Sequence, residues 1–238
     1  MGHELALLAL TAAAVGVLHT VLGPDHYLPF VLMGRAERWS RAKTLWVTLA
    51  CGLGHVLSSV ALGAVGITLG VAVARLEAIE AIRGQLAAWA LIAFGLVYFV
   101  WGLRRAQRNR PHVHVHPHLD GTVHIHRHTH VQEHLHVHGE HARPRRLTLW
   151  VLFILFLFGP CEALIPLLMY PAAQSSTGGV AVVTAVFGVA TMGTMLVIVL
   201  VMLRGIEKLP LGILERYTHA LAGAALALCG VTIAVLGV

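Results

Sequence analysis

Apolar residues fill six long stretches of the chain, at about 5–33, 44–73, 86–103, 147–172, 178–203 and 217–237, with polar segments between them. A hydrocarbon core about 30 Å thick takes roughly 20 residues of helix to cross, so each stretch predicts a spanning helix. The opening MGHELALLAL has no basic segment ahead of its apolar run and no small-residue cleavage site, which predicts a retained span rather than a signal peptide.

Two stretches are interrupted at matching places. The first carries GPDHYLPFVLM from Gly23 and the fourth carries GPCEALIPLLM from Gly159, alike at Gly-Pro, at the later proline and at the closing Leu-Met, with one residue inserted. Proline removes a backbone donor and disfavours helix just before it, so Gly23 to Pro29 and Gly159 to Pro166 should be unwound or kinked. Bare backbone at membrane depth is tolerated only against protein or a water-filled cavity, so the two breaks should line a common site. Each break opens a group of three spans, and three is odd, so the second group enters the membrane with reversed polarity. The predicted fold is therefore an all-α integral membrane protein of six transmembrane helices. It comprises two inverted three-helix repeats, residues 1–103 and 147–238, with proline-broken helices 1 and 4 and a polar segment, 104–146, between the repeats.

Composition agrees: 57% of the residues are hydrophobic, 12% are charged and the mean hydropathy is +0.77, which excludes an ordinary soluble domain. Fifteen of the 17 lysines and arginines fall after spans 1, 3 and 5, placing those loops in the cytoplasm and both termini outside. The other two, Arg75 and Arg83, fall in the loop predicted between spans 2 and 3. With the positive charge so distributed, contact with anionic lipid accounts for it and nucleic acid is not an expected partner. The three cysteines all lie inside predicted spans and imply no disulfide framework. Gly66 and Gly70 form a GxxxG that predicts close helix packing.

Candidate chemistry sits in two places. Asp25 and His26 in the first break and Glu162 in the second are ionisable groups in apolar spans, where a carboxylate costs about 2.5–3.5 kcal/mol at a helix centre. His19 precedes His26 by about two helical turns, and span 2 adds His55. Imidazoles with one or two carboxylates suit transition metals such as Co, Ni and Zn, whereas an oxygen-only site would suit Mg or Ca. No organic cofactor and no enzymatic constellation is indicated.

The second place is the stretch HVHVHPHLDGTVHIHRHTHVQEHLHVH from His112, followed by His141. Its histidines, His112, His114, His116, His118, His124, His126, His128, His130, His134, His136, His138 and His141, mostly recur every second residue, the strand period. Asp120-Gly121 is a hairpin signal. A turn at Asp120 to Thr122 would set His118 opposite His124, His116 opposite His126, His114 opposite His128 and His112 opposite His130. A second turn at Val131 to Glu133 would continue a small metal-dependent β-meander from an otherwise disordered segment. Either state would capture metal.

The run HTVLGPDHYLPF, with GHVLSS in the next span, resembles the nickel/cobalt transporter superfamily, in particular its NicO and UreH-like members. The histidine-rich central segment is similar to that of nickel/cobalt exporters, and the resemblance covers all six spans and the loop. Family permeases carry H-x4-D-H in an early span; here His19, Asp25 and His26 give H-x5-D-H, with Pro24 inside the interval. The resemblance implies a permease of the inner, cytoplasmic membrane. Its metal residues would be His19, Asp25, His26 and His55, its cargo Ni2+ or Co2+ with Zn2+ or Fe2+ as variants, and its partners urease or other metalloenzyme maturation proteins.

Two rival readings remain. GPCEALIP resembles the Pro-Cys breaks of CcdA-type thiol-disulfide conduits, but the chemistry needs two thiols and the matching position in span 1 is Asp25. A sulfite or organic-anion exporter needs a basic residue in the membrane, and none lies within a predicted span.

Overall fold

The computed structural model describes residues 2–108, 112–117, 123–128, 145–159, 161, 163–174, 176–207 and 212–236. Helix α1 (Gly2–Leu22) ends at the first break, where Pro24–His26 form one 3-10 turn before the short α2 (Leu28–Ala36). Then come α3 (Arg41–Thr68), α4 (Val73–Arg108), the strands β1 (His112–Pro117) and β2 (Val123–His128), and α5 (Arg145–Phe158). The second break follows, then α6 (Leu164–Ala173), α7 (Thr177–Glu207) and α8 (Thr218–Leu236).

Among the described residues, five helices are long and apolar enough to cross a membrane: His3–Leu22, Arg41–Thr68, Val73–Gln107, Thr177–Ile206 and Glu215–Val235. The fourth apolar stretch is divided into α5, of 14 residues, and α6, of 10, neither of which reaches the roughly 20 a crossing takes. Large apolar side chains such as Trp46, Val97 and Val189 are exposed on the outside, as they are where the solvent is lipid. The chain is a multi-pass α-helical membrane protein.

Helix α4 corrects the predicted third span. It starts at Val73 rather than near residue 86, so Arg75, Glu77, Glu80 and Arg83 are helical and do not form a loop. A hydropathy scan stops at such residues because it treats every charge as solvated, whereas Glu80 and Arg83 neutralise each other across one turn.

The paired glycines of α3 also read differently. Helix α3 closes at Thr68, and Gly70 lies beyond it at φ +63, where a side chain is strained. Gly70 N donates to Ile67 O and Val71 N to Gly66 O, the two bonds of a Schellman cap. So Gly70 ends the helix and does not pack against a neighbour, while a β-carbon on Gly66 would strike Leu76 of α4.

α1 packs along α7, α3 against α5 and α7, α2 on α8 and α3, and α6 on α7, α3 and α4. The longest seam joins α4 and α8. It is lined by glycines seven residues apart on both helices, Gly95 and Gly102 on one, Gly223 and Gly230 on the other. A methyl on Gly95 would strike the Ala227 main chain, on Gly102 that of Ala220, on Gly223 that of Phe99 and on Gly230 the Ala88 carbonyl. The pairing of Gly102 with the start of α8 and of Ala88 with its later part makes the two helices antiparallel. Lipid supplies no hydrophobic force between helices, so this backbone approach holds the seam by dispersion.

Strands β1 and β2 pair antiparallel, with His112 opposite His128, His114 opposite His126 and His116 opposite His124. Histidine meets histidine, as the strand period predicts, but the register is two residues away from the expected one. The described pairing runs from His112 opposite His128 to Pro117 opposite Val123. This register does not fit a turn at Asp120 to Thr122 with His118 opposite His124. His118, His130, His134, His136, His138, His141 and the second turn at Val131 to Glu133 lie outside the described residues.

Candidate metal centre

The first break builds most of the site. The last bond of α1 runs from Gly23 N to His19 O at 3.0 Å, and Pro24 has no hydrogen with which to continue the helix. His26 N then donates to Gly23 O at 3.1 Å, closing the turn, and Pro29 sits at the start of α2, where proline is tolerated. This turn folds His26 back over the end of α1, its ring centroid 4.6 Å from that of His19 and nearly perpendicular to it. His55 comes across from α3, 5.2 Å from His26 and 6.3 Å from His19 by ring centroids.

The orientation of two of the rings is set by oxygens that can only accept. His26 Nδ1 lies 3.2 Å from Gly23 O, and His55 Nδ1 lies 3.3 Å from Phe156 O, so each Nδ1 carries the hydrogen and donates. The lone pair is then on Nε2, the arrangement that second-sphere carbonyls impose on metal-binding histidines. His19 Nε2, His26 Nε2 and His55 Nε2 are all buried and without a hydrogen-bond partner. An unmet buried polar atom costs about 1–3 kcal/mol, and three such atoms on neighbouring rings call for a ligand.

One ligand nitrogen from each of the three histidines lies within 4.8 Å of the others. Tetrahedral bonds of about 2.1 Å require nitrogens about 3.4 Å apart, so an ion would draw the three together by about 1.4 Å or less. Asp25 Oδ1 sits 3.3 Å from His26 Nδ1, close enough for charge attraction but without hydrogen-bond geometry. A cavity of about 30 Å³, the room one water or ion takes, is lined by Asp25, His55, Leu91, Phe156 and Gly159 among others.

Among the described residues, the second break contributes a backbone carbonyl to the site. In an unbroken helix Phe156 O would accept from residue 160, but Pro160 has no N–H, and His55 donates to that carbonyl instead. Both break glycines make room for imidazole. A β-carbon on Gly23 would lie 2.6 Å from His26 Nδ1, and one on Gly159 would lie 3.2 Å from His55 Nδ1. Glu162 lies outside the described residues, and so do half of the loop histidines. The structure thus brings together His19, Asp25, His26 and His55.

Sequence reasoning missed Glu80 and Arg83. Arg83 Nη1 donates to Glu80 Oε1 at 2.8 Å, and its Nη2 reaches Ser58 Oγ at 2.9 Å, Leu157 O at 3.1 Å and Gly159 O at 3.4 Å. Leu157 and Gly159 carry carbonyls at the end of α5, where a helix dipole favours a cation. The expectation that no basic residue lies within a span is therefore corrected, since Arg83 belongs to the candidate span Val73–Gln107. Its charge is already met by a fully buried carboxylate, which leaves nothing for a substrate anion. The i, i+3 spacing of Glu77, Glu80 and Arg83 was the available signal.

What these elements define is a class: a multi-pass α-helical membrane protein with a cluster of three histidines, two of them buried, at a broken helix. The chain matches no protein-family model, no curated protein and no solved structure.

Proposed function

We propose that the protein is a carrier for a divalent transition-metal cation, Ni2+ or Co2+ first, with Zn2+ and Fe2+ as the nearest variants. The observation that carries this reading is the grouping of three histidines that each offer a ligand nitrogen within 4.8 Å of the others, with three buried, unpartnered Nε2 atoms and two of the rings oriented by backbone carbonyls. His19, His26 and His55 supply nitrogen donors of borderline softness, and Asp25 offsets the charge of the ion. Protons compete with the ion for the imidazole lone pairs, which gives the carrier a means of proton coupling.

The packing supports two related halves. Exchanging α1, α2, α3 and α4 for α5, α6, α7 and α8 turns the α1–α7 contact into α5–α3 and α2–α8 into α6–α4, both present, and maps α4–α8 onto itself. On this reading the two halves form an inverted repeat of six spans in a cell membrane, and they rock about the breaks to give alternating access. The positive loops orient both termini outward and set the histidine-rich segment in the cytoplasm, where it collects the ion or passes it to a metalloenzyme maturation partner. The paired register of histidine with histidine suits capture of metal at that entrance.

Against a thiol-disulfide conduit, Cys161 is free and buried, and the described first break offers Asp25 at the corresponding place. The test is metal accumulation in cells expressing the protein, read for Ni, Co, Zn and Fe, followed by flux into liposomes. Accumulation rises for an importer and falls for an exporter, and His26→Ala with Asp25→Ala abolishes either. Unchanged metal content, or flux indifferent to those substitutions, removes the proposal.

A further inference from the structure

Thr191 of α7 is fully buried, and its hydroxyl has no hydrogen-bond partner. A threonine inside a helix ordinarily satisfies itself by donating to the carbonyl one turn back. The three other buried threonines among the described residues do so: Thr20 to Gly16 O at 2.7 Å, Thr44 to Ser40 O at 3.2 Å and Thr48 to Thr44 O at 2.9 Å. Thr191 departs from them, and an unmet hydroxyl in an apolar interior is unfavourable unless something else binds it.

Its place along α7 is at the height of the histidines. Toward α1, Thr191 Oγ1 lies 3.1 Å from the position a β-carbon on Gly16 would take, and Phe187, one turn earlier on α7, has its ring centroid 6.4 Å from that of His19. His19 is one turn beyond Gly16, and helical side chains lean toward the N-terminus, so its ring leans back over the Gly16 turn. Toward α3, a β-carbon on Gly52 would lie 3.2 Å from Met195 Sδ, and one on Gly188 would lie 3.5 Å from Val56 Cγ1. Gly52 and Val56 bracket His55 on α3, and Met195 and Gly188 bracket Thr191 on α7 by one turn each way. Thr191 therefore stands between His19 of one helix and His55 of another.

The chemistry of the site has a use for a hydroxyl there. Three imidazole nitrogens leave a tetrahedral divalent ion one ligand short, and in sites that stay open the fourth is a water. The cation draws electrons from that water and makes its O–H bonds strong donors, so the water needs an acceptor. The imidazole lone pairs are taken by the ion, and Asp25 Oδ1 lies beside His26 Nδ1, the nitrogen that carries a hydrogen. A hydroxyl oxygen on α7 meets the need without adding a second buried charge.

We propose that Thr191 is a positioning residue of the metal centre, whose hydroxyl oxygen accepts a hydrogen from a water that the ion keeps beside His19, His26 and His55. This role rests on the metal-carrier reading. It means that the cargo is bound with part of its hydration shell, and that α7, from the second half of the chain, helps to hold it.

The test is Co2+ flux into liposomes carrying the full chain, with the unfolding temperature of each variant measured in detergent without metal. Thr191→Val keeps the shape and removes the hydroxyl, and is expected to raise the half-saturating Co2+ concentration by about 10-fold, the scale of losing an outer partner of a metal site. Its unfolding temperature should stay level or rise, because the unmet polar atom is gone. Thr191→Ser restores the hydroxyl and should restore half-saturation. Thr48→Val, which removes a hydroxyl bonded within its own helix, should leave half-saturation unchanged. Unchanged half-saturation in Thr191→Val, an equal rise in Thr191→Ser or Thr48→Val, or a rise that comes with a markedly lower unfolding temperature overturns the role of Thr191. Absence of Co2+ flux in the unaltered protein removes the metal reading and this role together, whereas normal flux indifferent to Thr191→Val removes this role alone.

Discussion

Replacing Gly23 by alanine tests the metal site without touching a ligand. The residue has φ −90 and ψ 94, which alanine adopts without strain, so the backbone should not resist the change. The added methyl would lie 2.6 Å from His26 Nδ1 and 2.9 Å from Asp25 Oδ1, the first about 0.8 Å inside the 3.4 Å lower edge of ordinary contact. His26 is buried, so its ring has to rotate or translate by that amount, and the 3.2 Å bond to Gly23 O that fixes its tautomer is lost. Removing such an outer partner of a metal-binding histidine costs about 10–100-fold in affinity, or about 1.4–2.7 kcal/mol. Gly23→Ala is therefore expected to raise the half-saturating Co2+ concentration for flux into liposomes by about 10–100-fold. Its stability to thermal unfolding should fall by no more than about 1–3 kcal/mol, the cost of shifting a buried ring set against the smaller entropy alanine leaves to the unfolded chain. Gly178→Ala, whose β-carbon meets nothing within 4 Å, is the control. Unchanged half-saturation in folded Gly23→Ala would refute the inward placement of His26 Nε2.

Deleting residues 112 to 141 should weaken metal capture at low concentration and leave flux at saturating metal; complete loss of flux would rank the loop above the three-histidine cluster. Tyr98 donates to Glu37 at 2.8 Å and pairs with His219 Nδ1 at 2.7 Å, so Tyr98→Phe strips two polar groups of a partner. Its expected cost is about 1–3 kcal/mol, read as a lower unfolding temperature in detergent. Gly223→Ala drives a methyl into the Phe99 main chain and should destabilise by about 1–3 kcal/mol in the same assay.

Much of this was legible in the chain because lipid imposes few solutions. Long apolar runs gave the helices, and the paired Gly-Pro steps at 23–24 and 159–160 marked the interruptions, because a proline has no N–H with which to continue the helix before it, while Pro29 and Pro166 fall in the first turns of α2 and α6, where that loss is tolerated. The grouping of His19, His26 and His55 was legible because charge and imidazole are too costly in apolar spans to be scattered there without reason. The sequence could not reveal what the second break contributes. The contribution seen among the described residues is the Phe156 carbonyl, a backbone atom that no residue letter encodes. The length of α4 was hidden for a related reason. Glu80 and Arg83 look like surface charges one at a time and become compatible with burial only as a pair. The hairpin's histidine pairing followed from period two, but that period is satisfied equally by registers two residues apart, so the letters did not choose between them.

The seam between α4 and α8 has a consequence for how the chain can drift over generations. A seam of interlocking side chains can be repacked by compensating substitutions, one larger and one smaller, on facing helices. Here main chain lies against main chain at Gly95, Gly102, Gly223 and Gly230, and nothing on the facing helix can shrink to admit a β-carbon. In a deep mutational scan these four positions should reject every replacement, even alanine, as firmly as the buried histidines do, while the lipid-facing positions beside them accept almost any apolar residue.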